Sequence, residues 1–252
     1  MVIGPARSGL PFFLVPALPV SDEAVLDGDE GRHAATVRRL RTGERLVLTD
    51  GAGGWATATV TGAGRSELGL RVDERGQEPA PRPRVVLVQA LTKSDRGELA
   101  VDLATEAGVD EIVPWSAARC VARWTPDRAD RGLARWRAAA SQAAKQARRT
   151  RVPGIAPLAD TAAVASRIAA AAGALVLHEA ESVALKSVSL PVEGDLVIVV
   201  GPEGGLTDSE VQAFVTAGAA AVRLGPQVLR SAVAASVALG ALGVLTSRWE
   251  QG

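Results

Sequence analysis

The order of apolar and polar positions changes character near residue 80. Before it, short β-prone runs at 45–49, 55–61 and 68–72 are separated by the glycine-rich stretches 51–54 and 62–64. Runs of that length between glycine turns predict a small β barrel or sheet, and 29–40 reads as one helix within it. Pro79, Pro81 and Pro83 then alternate with other residues, a pattern that favours extended backbone and predicts a linker. Beyond it, largely apolar runs alternate with helical segments. The runs 85–90, 112–114, 174–178, 196–200 and 221–224 read as buried strands. A helix over 98–107 is closed by Gly108, and a longer one opens at Pro126 behind Thr125 as N-cap and ends near Arg148. Alternation of β and α predicts a mainly parallel sheet covered on both faces. The chain therefore divides into a first domain at 1–78, a linker at 79–84 and a second, α/β domain at 85–252.

The last predicted helix, 231–248, is apolar on nearly every side, with small residues at Ala232, Ser236, Gly240 and Gly243. A helix without a polar face is buried. It forms either the centre of a monomer or a subunit interface, and the small size of the domain favours a homodimer.

Composition narrows this picture little. Lys plus Arg and Asp plus Glu both total 28, so bulk charge names no partner and a basic site has to come from local clustering. Cys120 is the sole cysteine, which excludes an internal disulfide and fits a reducing compartment. The apolar stretch 10–20 contains three prolines, is too short for a membrane helix, and lacks a signal-peptide cleavage pattern. A cytoplasmic protein with no membrane partner and no metal is expected.

Candidate chemistry gathers at three strand ends. The run 196–200 leads into Gly201-Pro202-Glu203-Gly204-Gly205, and Thr207 with Glu210 three residues on forms a capping box for the following helix. The other two ends are Leu177-His178-Glu179 and Leu224-Gly225-Pro226-Gln227-Val228-Leu229-Arg230-Ser231. In an open parallel sheet, ligands bind outside the carboxyl ends of strands. Side by side, these ends would converge on one pocket whose backbone groups read a flat base and whose apolar side chains sandwich it. A second signal is local charge: residues 119–151 hold ten Arg or Lys against two Asp. On the long helix Arg131, Arg135, Gln142, Lys145 and Arg149 share one face, and Leu133, Trp136, Ala140 and Ala143 share the other. Arg32, His33, Arg38, Arg39 and Arg41 form a further cluster in the first domain. Both clusters suit RNA phosphates, whereas Trp115 and Trp124 read as core.

The two C-terminal loops together resemble those of the SPOUT methyltransferases, and within them the RsmE type, which methylates N3 of a uridine in 16S ribosomal RNA. The resemblance extends to Phe12-Phe13, His33-x-x-x-Val37-x-Arg39, Gln89-Ala90-Leu91-x-Lys93, Glu106-x-Gly108-Val109, Arg119-Cys120, Arg135-Trp136, Gln146 and Arg149-x-x-Val152-Pro153. It implies an N-terminal PUA-like β-barrel domain that binds RNA, and a C-terminal parallel-sheet domain knotted as a deep trefoil. It also implies S-adenosylmethionine as cofactor, a dimer, and 16S RNA within the 30S subunit as partner. By position, Leu177, His178, Gly201, Gly205, Leu224, Gly225, Leu229 and Ser231 would surround the cofactor. The sequence departs from the family at Ala232 and Val233, where many members have Glu and Thr, and at Lys145, where Glu is usual.

Uridine N3 carries a weakly acidic proton, which a base must remove unless a cation stabilises the anion as it forms. Arg230 suits the second task and Glu203 is a candidate base or ribose contact. Arg32, His33, Arg38, Arg39, Arg131, Arg135, Lys145 and Arg149 are the candidate RNA contacts. The rival readings are another SPOUT activity, such as ribose methylation of tRNA or rRNA, and a non-catalytic RNA-binding ribosome assembly factor.

Overall fold

The computed structural model describes residues 7–93, 96–179, 181 and 183–250. They fall into two compact units, residues 7–80 with 144–152, and residues 81–143 with 153–250.

The first unit is built on strands β1 (Phe12–Leu14), β2 (Glu23–Leu26), β3 (Arg45–Thr49), β4 (Gly54–Ala63) and β5 (Leu68–Gln77). They hydrogen-bond in the order β1-β3-β4-β5-β2, with β1 parallel to β3 and the remaining pairs antiparallel. Along β5 the period of two is plain: Leu68, Leu70 and Val72 enter the core between Gly69, Arg71 and Asp73. Phe13, Leu46, Leu48, Ala56, Ala58 and Val60 meet them there. The helix expected over 29–40 is α1 (Gly28–Arg32), which continues as a π-helical turn over His33–Val37. Residues 144–152 are tied into this unit by Glu78. Its carboxylate accepts from Arg7 (2.6 Å) and from the Thr150 hydroxyl, while its carbonyl accepts from Arg151 (2.7 Å).

The second unit is the parallel sheet that the apolar runs predict. Its strands are β6 (Arg84–Ala90), β7 (Glu111–Trp115), β8 (Gly154–Ile155), β9 (Gly173–Leu177), β10 (Asp195–Val200) and β11 (Ala220–Val222). The order is β11-β9-β10-β6-β7-β8, and every ladder is parallel. Leu196, Val197, Ile198, Val199 and Val200 are all buried, because helices cover both faces and leave no side for polar alternation. Of these helices, α2 (Arg96–Glu106) packs on α6 (Ser231–Leu245), and α4 (Thr161–Ala170) packs on α5 (Asp208–Thr216). The long helix α3 (Pro126–Gln146) turns Leu133, Trp136, Ala140 and Ala143 inward, as its periodicity predicts. Trp115 is fully buried edge-on to Phe214, and the half-buried Trp124 lies edge-on to Trp136.

Candidate active site

Register brings the three strand ends together. Leu177 lies opposite Val200 on one side and Val222 on the other, so the chain leaves all three strands at one level. His178, Gly201 and Arg223 emerge side by side, and the His178 amide donates to the Val222 carbonyl at 3.0 Å. The space above them is a cavity of about 290 Å³. Leu177, His178, Gly201, Gly205, Leu224, Gly225, Leu229 and Ser231 all line it, together with Glu203 and Arg230. Pocket residues that single-residue reading does not assign include Glu179, Leu206, Arg223 and Gln227.

The glycine loop is held in place by three sets of bonds. At its start, the Ser231 hydroxyl donates to the Gly201 carbonyl (2.8 Å) and accepts from Gln89 Nε2 (2.8 Å). In its middle, Arg119 Nη1 donates to the carbonyls of Gly204 (3.3 Å) and Leu206 (3.1 Å). A Cβ on Gly204 would lie 3.1 Å from Arg119 Cβ, so glycine lets the arginine backbone approach this closely. At its end, the capping box read from Thr207 and Glu210 is present with both of its hydrogen bonds. The buried Glu210 carboxylate also accepts from the Ala118 amide at 2.7 Å, tying the loop after β7 to the same helix start. Gly205 has φ +72, the left-handed region that glycine adopts without cost. A side chain there would project to within 3.8 Å of Arg119 Nη1 and 4.0 Å of Glu179 Oε1.

The cavity is lined by two carboxylates, Glu179 and Glu203, and two guanidiniums, Arg223 and Arg230. Arg230 is exposed, caps α6 through its backbone without a side-chain bond, and makes no ion pair among the described residues. A structural salt bridge therefore does not account for it. Glu203 lines the cavity and faces Arg96 at 3.5 Å, a long and partly exposed pair that contributes about 1 kcal/mol at most. Cys120 is buried outside the cavity lining, and desolvation pushes its thiol pKa up, so it is not an activated nucleophile.

The basic residues divide. In the first unit Arg32, His33, Arg38 and Arg39 are exposed; His33 sets its ring edge against Phe13, and Arg32 shares only an exposed pair with Asp29 at 3.4 Å. On α3, Arg131 and Arg135 are exposed, with Glu98 3.0 Å from Arg135. The stripe stops there. Lys145 is paired with Glu30 at 2.6 Å with both side chains largely covered, and Arg149, beyond the helix end, is 7% exposed. Neither presents a solvated cation to a phosphate, which corrects the continuous stripe drawn from helical spacing. The correction has a physical cause: α3 ends at Gln146, and Glu30, 115 positions away in sequence from Lys145, supplies the counter-charge.

Comparison with known proteins follows the same two-part division. The chain matches the family model described as RNA methyltransferase domain over residues 78–243, and that described as RNA methyltransferase PUA domain over residues 26–73. It is 52% identical to the ribosomal RNA small subunit methyltransferase E of Mycobacterium bovis, over 94% of this chain and 93% of that protein. Against the protein of the same name from Bacillus subtilis the identity is 28%, over 88% and 90%. The crystal structure of a ribosomal RNA small subunit methyltransferase E from Neisseria gonorrhoeae, bound to S-adenosyl methionine, superposes with a TM-score of 0.82 at 27% identity. That match covers 94% of this chain and 98% of the other.

Proposed function

The chain belongs to the ribosomal RNA small subunit methyltransferase E family, and on that premise we propose that it methylates N3 of one uridine in 16S RNA. It is an S-adenosylmethionine-dependent rRNA methyltransferase, with a PUA-like domain that takes RNA as partner. The observation that carries the reading is one cavity lined by both loops, with an arginine at its edge that no described carboxylate pairs. Its residues fit the cofactor. Leu177, Leu206, Leu224 and Leu229 offer apolar faces to an adenine, strand-end amides and carbonyls offer polar edges, and Glu179 and Glu203 set negative charge near a sulfonium.

When bound, S-adenosylmethionine supplies an electrophilic methyl group. The residues of the chain have the remaining tasks. The clamped glycine loop and Leu229 hold the two reactants in line, where positioning alone removes much of the barrier. Arg230 places a permanently charged, planar donor where N3 and its neighbouring carbonyls acquire negative charge. Glu203 is the nearest carboxylate on the loop and takes the role of base or ribose contact. Arg32, His33, Arg38, Arg39, Arg131 and Arg135 take the phosphates.

The same reading includes a trefoil knot in the C-terminal segment, a homodimer built on α6, the 30S subunit as substrate, a cytoplasmic location, and domain limits at 1–78 and 85–252 apart from 144–152, which pack with the first unit. The exposed valines of α6 support the dimer, and no described helix is long and apolar enough to cross a membrane. Mass-spectrometric mapping of 16S RNA from a strain lacking the gene tests the reaction. Loss of one 3-methyluridine, restored by the gene, is expected. An unchanged nucleoside profile, with cofactor binding but no transfer to 30S subunits from that strain, would favour an assembly factor instead.

A further inference from the structure

Gln89 sits at the end of β6, opposite Val200 in the ladder with β10, and so stands beside the point where the glycine loop begins. It is fully buried, behind the apolar run 85–88 of the same strand. Its Nε2 donates to Ser231 Oγ at 2.8 Å and to the Ala90 carbonyl at 3.2 Å, so both amide protons are used. Ser231 has one proton, and that goes to the Gly201 carbonyl at 2.8 Å. The direction of the chain of bonds is thereby fixed, from Gln89 through Ser231 to Gly201. Gln89 Oε1 is buried and has no partner among the described residues. A buried acceptor left unmet is destabilising, and an apolar side chain would avoid it. Fold stability therefore does not account for an amide at this place, whereas its donation to Ser231 does.

We propose that Gln89 is a positioning residue for the cofactor pocket, acting through Ser231 to fix the Gly201 carbonyl and the first turn of α6 in one arrangement. The inference rests on the cofactor reading above. It makes Ser231 a member of the pocket wall whose hydroxyl is committed to the loop, and it couples three separated segments of chain at a single oxygen. Removing either side chain breaks the same device, so the two losses should not add.

The test is calorimetric titration of the purified full-length protein with S-adenosylmethionine, beside its ligand-free melting temperature. Gln89→Leu and Ser231→Ala are each expected to weaken binding about tenfold, and the double variant to weaken it by no more than about tenfold. Ser231→Thr keeps the hydroxyl and should bind as the wild type does. Ser231→Ala removes one oxygen at a helix start, so it carries the test should Gln89→Leu fail to fold. Unchanged affinity in a folded Ser231→Ala, or a multiplicative loss of about a hundredfold in the double variant, would overturn the relay. Failure of the wild type to bind S-adenosylmethionine would overturn the cofactor reading and the relay with it.

Discussion

At the scale of single residues, the cavity sets two kinds of polar group apart. Glu210, Arg119, Ser231 and Gln89 spend their hydrogen bonds on the protein itself, whereas Arg230 has no ion-pair partner among the described residues. A committed side chain shapes the site and an uncommitted one is available to the reaction. Arg230→Ala should therefore lower kcat by about a hundredfold or more, with cofactor affinity and melting temperature unchanged. Single-turnover assays on undermethylated 30S subunits measure this, and full activity would remove Arg230 from the chemistry. Arg230 stands out in the sequence only through the family resemblance of the Leu224–Ser231 loop. Gln89 is visible there only as a motif letter. One glutamine at the end of an apolar run has no periodic signature, and its partner is 142 positions away.

At the scale of elements, local rules predict what is local. The runs 85–90, 112–114 and 196–200 form strands because they are continuous and fully covered, and the Thr207–Glu210 box starts α5 as its spacing demands. Thr207→Ala leaves the helix-start amide without its side-chain acceptor. It should cost about 1 kcal/mol, read as a lower denaturant midpoint at unchanged m-value. The short strands β1, β2 and β8 show no period and no isolated apolar run, and are not legible in the sequence. Arg131 and Arg135 on α3 stay exposed, whereas Lys145 is covered by its pair with Glu30, because helical spacing is blind to a counter-charge from another element. The two groups should separate in experiment. Arg131→Glu with Arg135→Glu should weaken RNA binding and flatten its salt dependence by about one unit of slope for each phosphate left without its cation. Lys145→Ala should instead lower the melting temperature, through removal of a covered pair with Glu30, and leave RNA affinity unchanged. Filter binding over a salt series distinguishes them, and equal salt slopes for wild type and double variant would count against RNA binding by α3.

At the scale of the whole molecule, α6 joins the cavity to an apolar surface left exposed by the described residues. One side of the helix is consumed internally: Ser231 and Ala234 line the cavity, while Ala235, Ala238, Leu239 and Leu242 are buried. The other side shows Val233, Val237, Val244 and Leu245 at 38%, 43%, 72% and 46% exposure. Positions 233, 237 and 244 lie on one stripe of a helix, and a contiguous apolar stripe on a soluble protein marks an interaction surface. Gly240 lies within that stripe, with the Trp249 ring 3.7 Å from where its Cβ would stand. The sequence reveals that α6 lacks a polar face, but periodicity cannot say which apolar side the fold uses, since nearly every side looks alike. Burial in the folded chain separates the two, and the remaining stripe suits a second copy packed about a two-fold axis. Light scattering should accordingly give twice the chain mass at micromolar concentration. Val237→Glu with Val244→Glu should return it to one chain mass, because a dimer would bury both charges against apolar neighbours without partners. Since α6 begins at Ser231, a separated chain should also bind S-adenosylmethionine more weakly. A wild type that runs as a monomer, or a charged variant that stays dimeric, would exclude this face as the subunit contact.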